Sequence, residues 1–586
     1  MSNRRRRKRR RRFSLLPATT LGWGALLAAL AIIIGGVALY IVRYAPTGEH
    51  MELTEFYDTK TADEAVVILD GQLYETQETD TYGKALVKNT DGTPRCYLEI
   101  GFLKGHLDNG YVYDKTEKIL RYTTDTDVFS VNLGEFTYSG GREQLNLSYA
   151  PLLSENQTVY VEAEFAENFT DFSYVLTEGE PNRMVIETAG YEKSVAALKK
   201  DTGLRQFGGP KSKILKDAEK SEQVTVLENY GKWVKVLTTD GVLGCMQDKY
   251  LGEKETETVA ARLPERNYQH LLMEETVCLG WHQMTSVAGN NTLGEALEGT
   301  QGVNVISPTW FYINDSTGGL ADVASMDYVI SCHNRGVKVW GLYSDFENPD
   351  ISTSAVLNVT SSRDNLINNI IAKAVAYGLD GVNIDFEKVE PEAGDGFIEF
   401  IRELSIKCEN NDLVLSVDNY VPTESRIAYM NYEEQGNYAD YIIIMGYDEH
   451  HGGDTEAGST ASIPFVTDAV TTMCDLVDPS QIVLGMPFYA RLWKTEDGEL
   501  SSSVLQMRNI YPFLEQHAAT PTWSDTYGQN YVEFTEDGAK YQLWIEDADS
   551  LSKKLSVMSD NHLAGGAFWK LTLEPPTIWD VIKQYM

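Results

Sequence analysis

The chain has 586 residues, 42% hydrophobic and 23% charged, and a formal net charge of -36 at pH 7. Ten of its 50 Lys and Arg lie at or before Arg43, and no acid precedes Glu49, so the remainder sets 40 basic against 86 acidic residues. Such a length calls for several domains, and so acidic a body repels phosphate backbones, which argues against nucleic-acid binding.

Residues 1–20 hold nine consecutive basic residues, Arg4 to Arg12. Leu21 to Val42 follow without a charge, and about 20 such residues span a bilayer. Positive charge stays on the cytoplasmic side. The pattern predicts a transmembrane signal anchor at 21–43, a single pass of the cell membrane with a cytoplasmic tail and everything beyond it extracytoplasmic. A cleaved signal peptide is the alternative, disfavoured by the long apolar run and the lack of a small-x-small site. Six cysteines stand singly with no CxxC, which reads as isolated thiols and neither a disulfide framework nor a zinc site.

Residues 44–62 are polar and mixed and read as a linker. From 63 to 195, short alternating runs such as Val66–Leu69, Cys96–Ile100 and Lys118–Tyr122 are separated by Asp-Gly, Asn-Gly and Gly-Gly, the signature of a mostly β domain. Ala150-Pro151-Leu152-Leu153, Val159-Tyr160-Val161 and the helix-like 162–169 resemble the N-terminal-type domain of copper amine oxidases, which implies a non-catalytic module. Residues 200–253 offer three short strands, tight glycine turns and one Trp, a small barrel. Leu204-Arg205, Trp233 and Gly241 to Gly244 resemble the bacterial SH3 domain, which implies contact with cell-wall peptides; a plain spacer is the other reading. Residues 254–271 read as a second linker.

After residue 272 apolar strands alternate with helical stretches: Thr276–Met284, Val303–Pro308, Val337–Tyr343, Gly381–Glu387, Leu413–Val417, Tyr441–Tyr447, Ile482–Tyr489 and Gly565–Trp569. Eight strands with helices between them predict an α/β fold, a (β/α)8 TIM barrel at 272–586, preceded by two small β-rich domains. The gap between the last two strands predicts a small α+β insertion at about 494–560.

The fourth strand holds the densest chemistry. In Asp380-Gly381-Val382-Asn383-Ile384-Asp385-Phe386-Glu387 the period is two, with Val382, Ile384 and Phe386 on one face and the polar residues on the other. An acidic stripe ending at the C-terminal mouth of a barrel is where barrel enzymes keep their reacting groups. This stretch resembles the DGxDxDxE signature of glycoside hydrolase family 18. Met445-Gly446-Tyr447-Asp448 is similar to the family's M-x-Y-D, and Tyr489-Ala490-Arg491-Leu492-Trp493 and Trp569 fall where the family has related segments. Asn383 departs from the pattern, standing where many members have Asp. With Asp448-Glu449-His450 and Pro487-Phe488-Tyr489, it is similar to the spore and cell-wall branch, which implies peptidoglycan ahead of crystalline chitin.

Two carboxylates about 5 Å apart and on opposite sides of a glycosidic bond serve most retaining glycosidases. Asp385 and Glu387, two apart on one strand, lie roughly 6–7 Å apart at Cα and point the same way. That suits substrate assistance, in which the sugar's 2-acetamido oxygen attacks C1. The resemblance then implies Glu387 as general acid and base, Asp385 as the group orienting the acetamido N–H and helping to keep Glu387 protonated, and Tyr447 as a donor to the acetamido oxygen. It implies Trp569 as the stacking aromatic, with Asn383, Met445, Asp448, Tyr489, Arg491 and Trp281 as further substrate-binding residues. Core packing is the alternative for Trp281, and a structural pair for Asp448 and Arg491. Trp310 and Trp340 read as core, and His282, His450 and His451 as supporting or surface groups. No cofactor or metal is expected. The partners expected are cell-wall glycan or another N-acetylglucosamine polymer, and the membrane through one helix. A chitinase and a non-cutting N-acetyl-sugar lectin remain the competing functions; the presence of Glu387, Asp385 and Tyr447 together favours an enzyme.

Overall fold

The computed structural model describes residues 20–74, 85–90 and 92–586. The basic run Arg4–Arg12 lies outside them. The chain forms two compact units, one of 1–108 with 153–264 and one of 109–152 with 265–586.

The second unit is built on eight parallel strands: Val277–His282, Val305–Ile313, Lys338–Ser344, Gly381–Asp385, Val414–Tyr420, Tyr441–Met445, Ile482–Pro487 and Gly565–Trp569. The eighth pairs with both the seventh and the first, and the first with the second, so the sheet closes into a barrel. Each strand divides its residues between two cores, because successive side chains point to opposite faces. Val382, Ile384 and Phe386 join the core beneath the helices. Leu279, Trp340, Leu342, Ile443 and Val483 fill the barrel interior. The helix leading into the fourth strand runs Thr360–Tyr377 and stops at Gly378, whose φ of 67° gives a left-handed cap that glycine adopts without steric cost. Gly381 is held by close approach: a Cβ there would lie 2.6 Å from the Trp340 ring and 2.8 Å from the Val414 carbonyl.

The insertion follows the seventh strand as a five-stranded antiparallel sheet, from Tyr489–Glu496 to Ala539–Ile545, with one helix, Met507–Gln516. Its own small core includes Ala490, Ile510, Leu514 and Leu543. The helix Ala548–Asp560, read from sequence as part of this insertion, instead sends Leu551, Leu555 and Met558 into the barrel's outer core. Residues 109–152, which fall inside the first β-rich region by sequence, make a five-stranded antiparallel sheet in the barrel's unit. It is tied to the barrel helices by Arg121 to Asp364 at 2.6 Å, Thr123 to Glu399 at 2.7 Å, and the Asp114 carboxylate, which accepts from the Thr360 N–H at 2.7 Å.

The first unit contains the apolar helix Thr20–Tyr44 and two sheets, of eight and seven strands. Part of 44–62, read as linker, packs: Met51, Leu53 and Phe56 cover the seven-stranded sheet's core, and the buried Tyr57 donates to the Gly241 carbonyl at 3.0 Å. Glu255–Thr258, in the second expected linker, pairs with Glu192–Ala197 in that sheet. All six cysteines are free, five of them buried.

Candidate active site

The fourth strand ends at Asp385, and the chain then turns across the barrel mouth. Asp345, just past the third strand, fixes that turn. Its buried carboxylate accepts from the backbone N–H of Glu387 at 2.8 Å and of Lys388 at 3.0 Å, and from the Thr353 hydroxyl at 2.7 Å. Glu387 is thereby presented half-buried at the rim.

A cavity of about 160 Å³ opens there. Four carboxylates line it, Asp385, Glu387, Asp418 and Asp448; Trp281, Trp569, Tyr420, Tyr447 and Met445 supply the remaining walls. The closing of the eighth strand on the first brings the two indoles together, with ring centroids 5.9 Å apart at 62°. Tyr447 meets Trp281 edge-on at 6.5 Å. Asn383 lies beneath the cavity, fully buried. Its Oδ1 accepts from the Ser307 hydroxyl at 2.8 Å and from Trp281 Nε1 at 3.2 Å, and its Nδ2 donates to Asp418 at 2.7 Å. Tyr489 stands behind the lining and donates to Asp448 at 2.5 Å. Arg491 points elsewhere: its Nη1 donates to Ser502 on the insertion at 3.2 Å, so it and Asp448 take separate partners.

Burial sets the electrostatics. It pushes the Asp385 carboxyl well above the usual range, and the neighbouring charges of Asp418 and Glu387 push the same way. Burial also raises Glu387; the hydroxyl of Tyr420, which donates to its carboxylate, opposes that shift, while Asp345 and Asp448 add to it. Asp418 is pushed up to about 8, chiefly by burial and against the hydrogen bond from Asn383. Among the described residues Asp385 Oδ1 has no hydrogen-bond partner although it is buried, which is costly for a carboxylate. A mouth with one half-exposed protonatable acid, a second acid facing the interior and paired indoles has the groups needed to protonate a leaving oxygen and stack a sugar ring.

The histidines keep to supporting places. His282 is buried, bonded to the Tyr328 hydroxyl at 2.8 Å and Thr292 Oγ1 at 3.0 Å, and burial pushes it down to about 4. His450 and His451 sit against Asp454 at 3.2 and 3.3 Å.

Asp418, Tyr420 and Asp345 are not among the residues singled out from sequence. The fifth strand, expected to end at Val417, continues to Tyr420. The alternation of Ser416, Asp418 and Tyr420 with Leu415, Val417 and Asn419 was the available signal.

Residues 324–574 match the sequence family described as glycosyl hydrolases family 18. YdhD of Bacillus subtilis (strain 168), named as a sporulation-specific glycosylase, is 29% identical over 224 residues, which cover 37% of this chain and 53% of that protein. The cortical fragment-lytic enzyme of Bacillus anthracis is 24% identical over 252 residues, covering 41% of this chain and 58% of that enzyme. These alignments thus span little more than half of either relative. The spore cortex-lytic enzyme SleL of Bacillus cereus superposes with a TM-score of 0.49 at 19% identity, over 57% of this chain and 77% of that one.

Proposed function

We propose that the chain, whose residues 324–574 match glycosyl hydrolases family 18, is an O-glycosyl hydrolase that cleaves β-1,4 bonds beside N-acetylglucosamine in cell-wall peptidoglycan, by retaining, substrate-assisted catalysis. The observation that carries this reading is the grouping of Asp385, Glu387, Tyr447, Trp281 and Trp569 around one small cavity. Glu387 protonates the leaving oxygen and later takes a proton from water; its raised carboxyl pKa suits an acid that must hold its proton near neutrality. The unpartnered Oδ1 of Asp385 receives the acetamido N–H. Tyr447 donates to the acetamido oxygen and holds it over C1, while the indole of Trp569 stacks on the sugar face. The choice of wall glycan over chitin is supported by relatives named for cortical fragments and sporulation.

Product analysis by mass spectrometry tests the reading. Full-length protein and its Glu387→Gln variant are incubated with peptidoglycan glycan strands and, separately, with chitin oligomers. Wild type is expected to release reducing-end N-acetylglucosamine from the wall strands, with the variant at least about 100-fold slower. Cleavage of chitin oligomers alone makes the protein a chitinase, and binding of both without cleavage makes it a lectin.

A further inference from the structure

Asn383 sits one inward step below Asp385 and can neither take nor release a proton. The buried Asp385 nevertheless lacks a hydrogen-bond donor at Oδ1, so its charge needs a partner. The neighbouring strand supplies one. In the pairing of the fourth and fifth strands Asn383 lies opposite Ser416, and Ile384 opposite Val417. One further step sets Asp385 level with Asp418 on the same inward face, at the roughly 4.8 Å spacing of adjacent strands. Both side chains are buried and both line the cavity.

The surroundings treat these two acids differently. Asp418 accepts from Asn383 Nδ2 at 2.7 Å, and that amide is oriented by the two donors on its Oδ1, Ser307 and Trp281. Asp418 is therefore held as an acceptor, which favours its ionised form against the burial that pushes it up to about 8. Asp385 has no such support at Oδ1, and Asp418 is the strongest neighbouring charge acting on it, ahead of Glu387, Asp345 and Glu347. Glu387 is also the carboxylate that acts on Asp418. The nearby cation, Arg426, lies over the Tyr420 ring at 4.8 Å.

We propose that Asp418 is a positioning residue that shares one proton with Asp385, replacing from the fifth strand the carboxylate that Asn383 does not provide. In the pair's one-proton state Asp385 holds the proton, and Asp418, which accepts from Asn383, holds the negative charge. When a cation develops at the bound sugar, the proton passes from the Asp385 carboxyl to the Asp418 carboxylate. Asp385 is left ionised beneath the cation, and the charge of the pair is unchanged. This rests on the glycosidase reading of the cavity.

The test uses the full-length protein in detergent, with peptidoglycan glycan strands as substrate, and three variants: Asp418→Asn, Asn383→Asp, and the two combined. Asp418→Asn is expected to lower kcat at least about tenfold with KM little changed, and to remove the pair's ionisation from the alkaline limb of the pH profile. The double variant returns two carboxylates to the pair and is expected to recover kcat to within about threefold of wild type. Infrared difference spectra at neutral pH provide a second readout. Recorded in a Glu387→Gln background, so that the acid's own proton does not contribute, a protonated-carboxyl band should vanish when Asp418→Asn is added and return when Asn383→Asp is added as well. A wild-type pH profile for Asp418→Asn, a double variant no better than that single one, or an unchanged band overturns the proposal. If wild type cuts neither wall strands nor chitin oligomers, the glycosidase reading fails, and the infrared arm alone decides whether the proton is shared.

Discussion

Tyr420 and Glu387 meet through a hydrogen bond in which the phenol donates to the carboxylate. A donor stabilises the ionised form, so this contact works against the burial that otherwise raises Glu387. Replacing Tyr420 with Phe removes the opposing influence and leaves the burial in place. The Glu387 carboxyl then rises further, and the alkaline limb of kcat/KM, which reports loss of the proton from the acid, moves to higher pH. Activity near the optimum is expected to change by less than about tenfold, since the acid itself stays in place. A pH series on the Tyr420→Phe variant checks this. An unmoved alkaline limb would mean that Tyr420 does not touch the ionising acid during turnover.

At the scale of elements, Asp440 shows how one carboxylate ties strands together at the base of the barrel. It lies just before the sixth strand and accepts from the backbone N–H of Leu415, on the fifth strand, at 2.7 Å and from that of Leu271 at 2.6 Å. Burial pushes it up to about 6 despite both bonds. The unfolded value is about 3.9, so the native state keeps this proton after the unfolded chain has released it. The contribution is therefore fully present below about pH 4 and is lost as pH rises through about 6. Two units correspond to a loss on the order of 3 kcal/mol. Denaturation midpoints followed from pH 4 to 8 should fall over that window, and Asp440→Asn should flatten the slope there. An equal slope in the variant would assign it to other acids.

The same scale explains what could be read in advance. Eight apolar strands alternating with helices were legible because a parallel strand buried on both faces writes an apolar run into the sequence. Asp385 and Glu387 stood out because an acid on a barrel strand is costly and visible. Asp418 and Tyr420 were hidden by their strand's end: a polar-rich tail, Asp418-Asn419-Tyr420, reads as loop until its pairing with the sixth strand is known. Arg491, which the resemblance implies as a substrate-binding residue, lies on the first strand of the insertion, where the antiparallel pairing of 489–496 with 499–506 brings its Nη1 to Ser502. Nor does local pattern foretell that residues 109–152 join the barrel's unit, since a short antiparallel meander looks the same wherever it packs.

For the whole molecule, we propose that the helix Thr20–Tyr44 anchors the chain in a membrane. Its 25 residues extend about 37 Å at 1.5 Å per residue, enough for a hydrocarbon core about 30 Å thick. Its apolar side chains, from Leu26 to Val42, are largely exposed, an uncovered apolar surface of the kind that membranes or partners bury. The basic run before it and the acid-rich remainder after it have the charge asymmetry that, for a single span, favours a cytoplasmic N-terminus. We therefore expect the full chain to sediment with membranes and to resist alkaline extraction. A variant lacking residues 1–45 should move to the soluble fraction, with kcat/KM on soluble glycan strands within about twofold of the full chain, because the helix contributes nothing to the cavity. The intact mass of the membrane-bound form separates an anchor from a removed leader: retention of the full 65.6 kDa supports the anchor, whereas a product cut after the apolar run, or a truncated chain that stays with the membrane, rules it out.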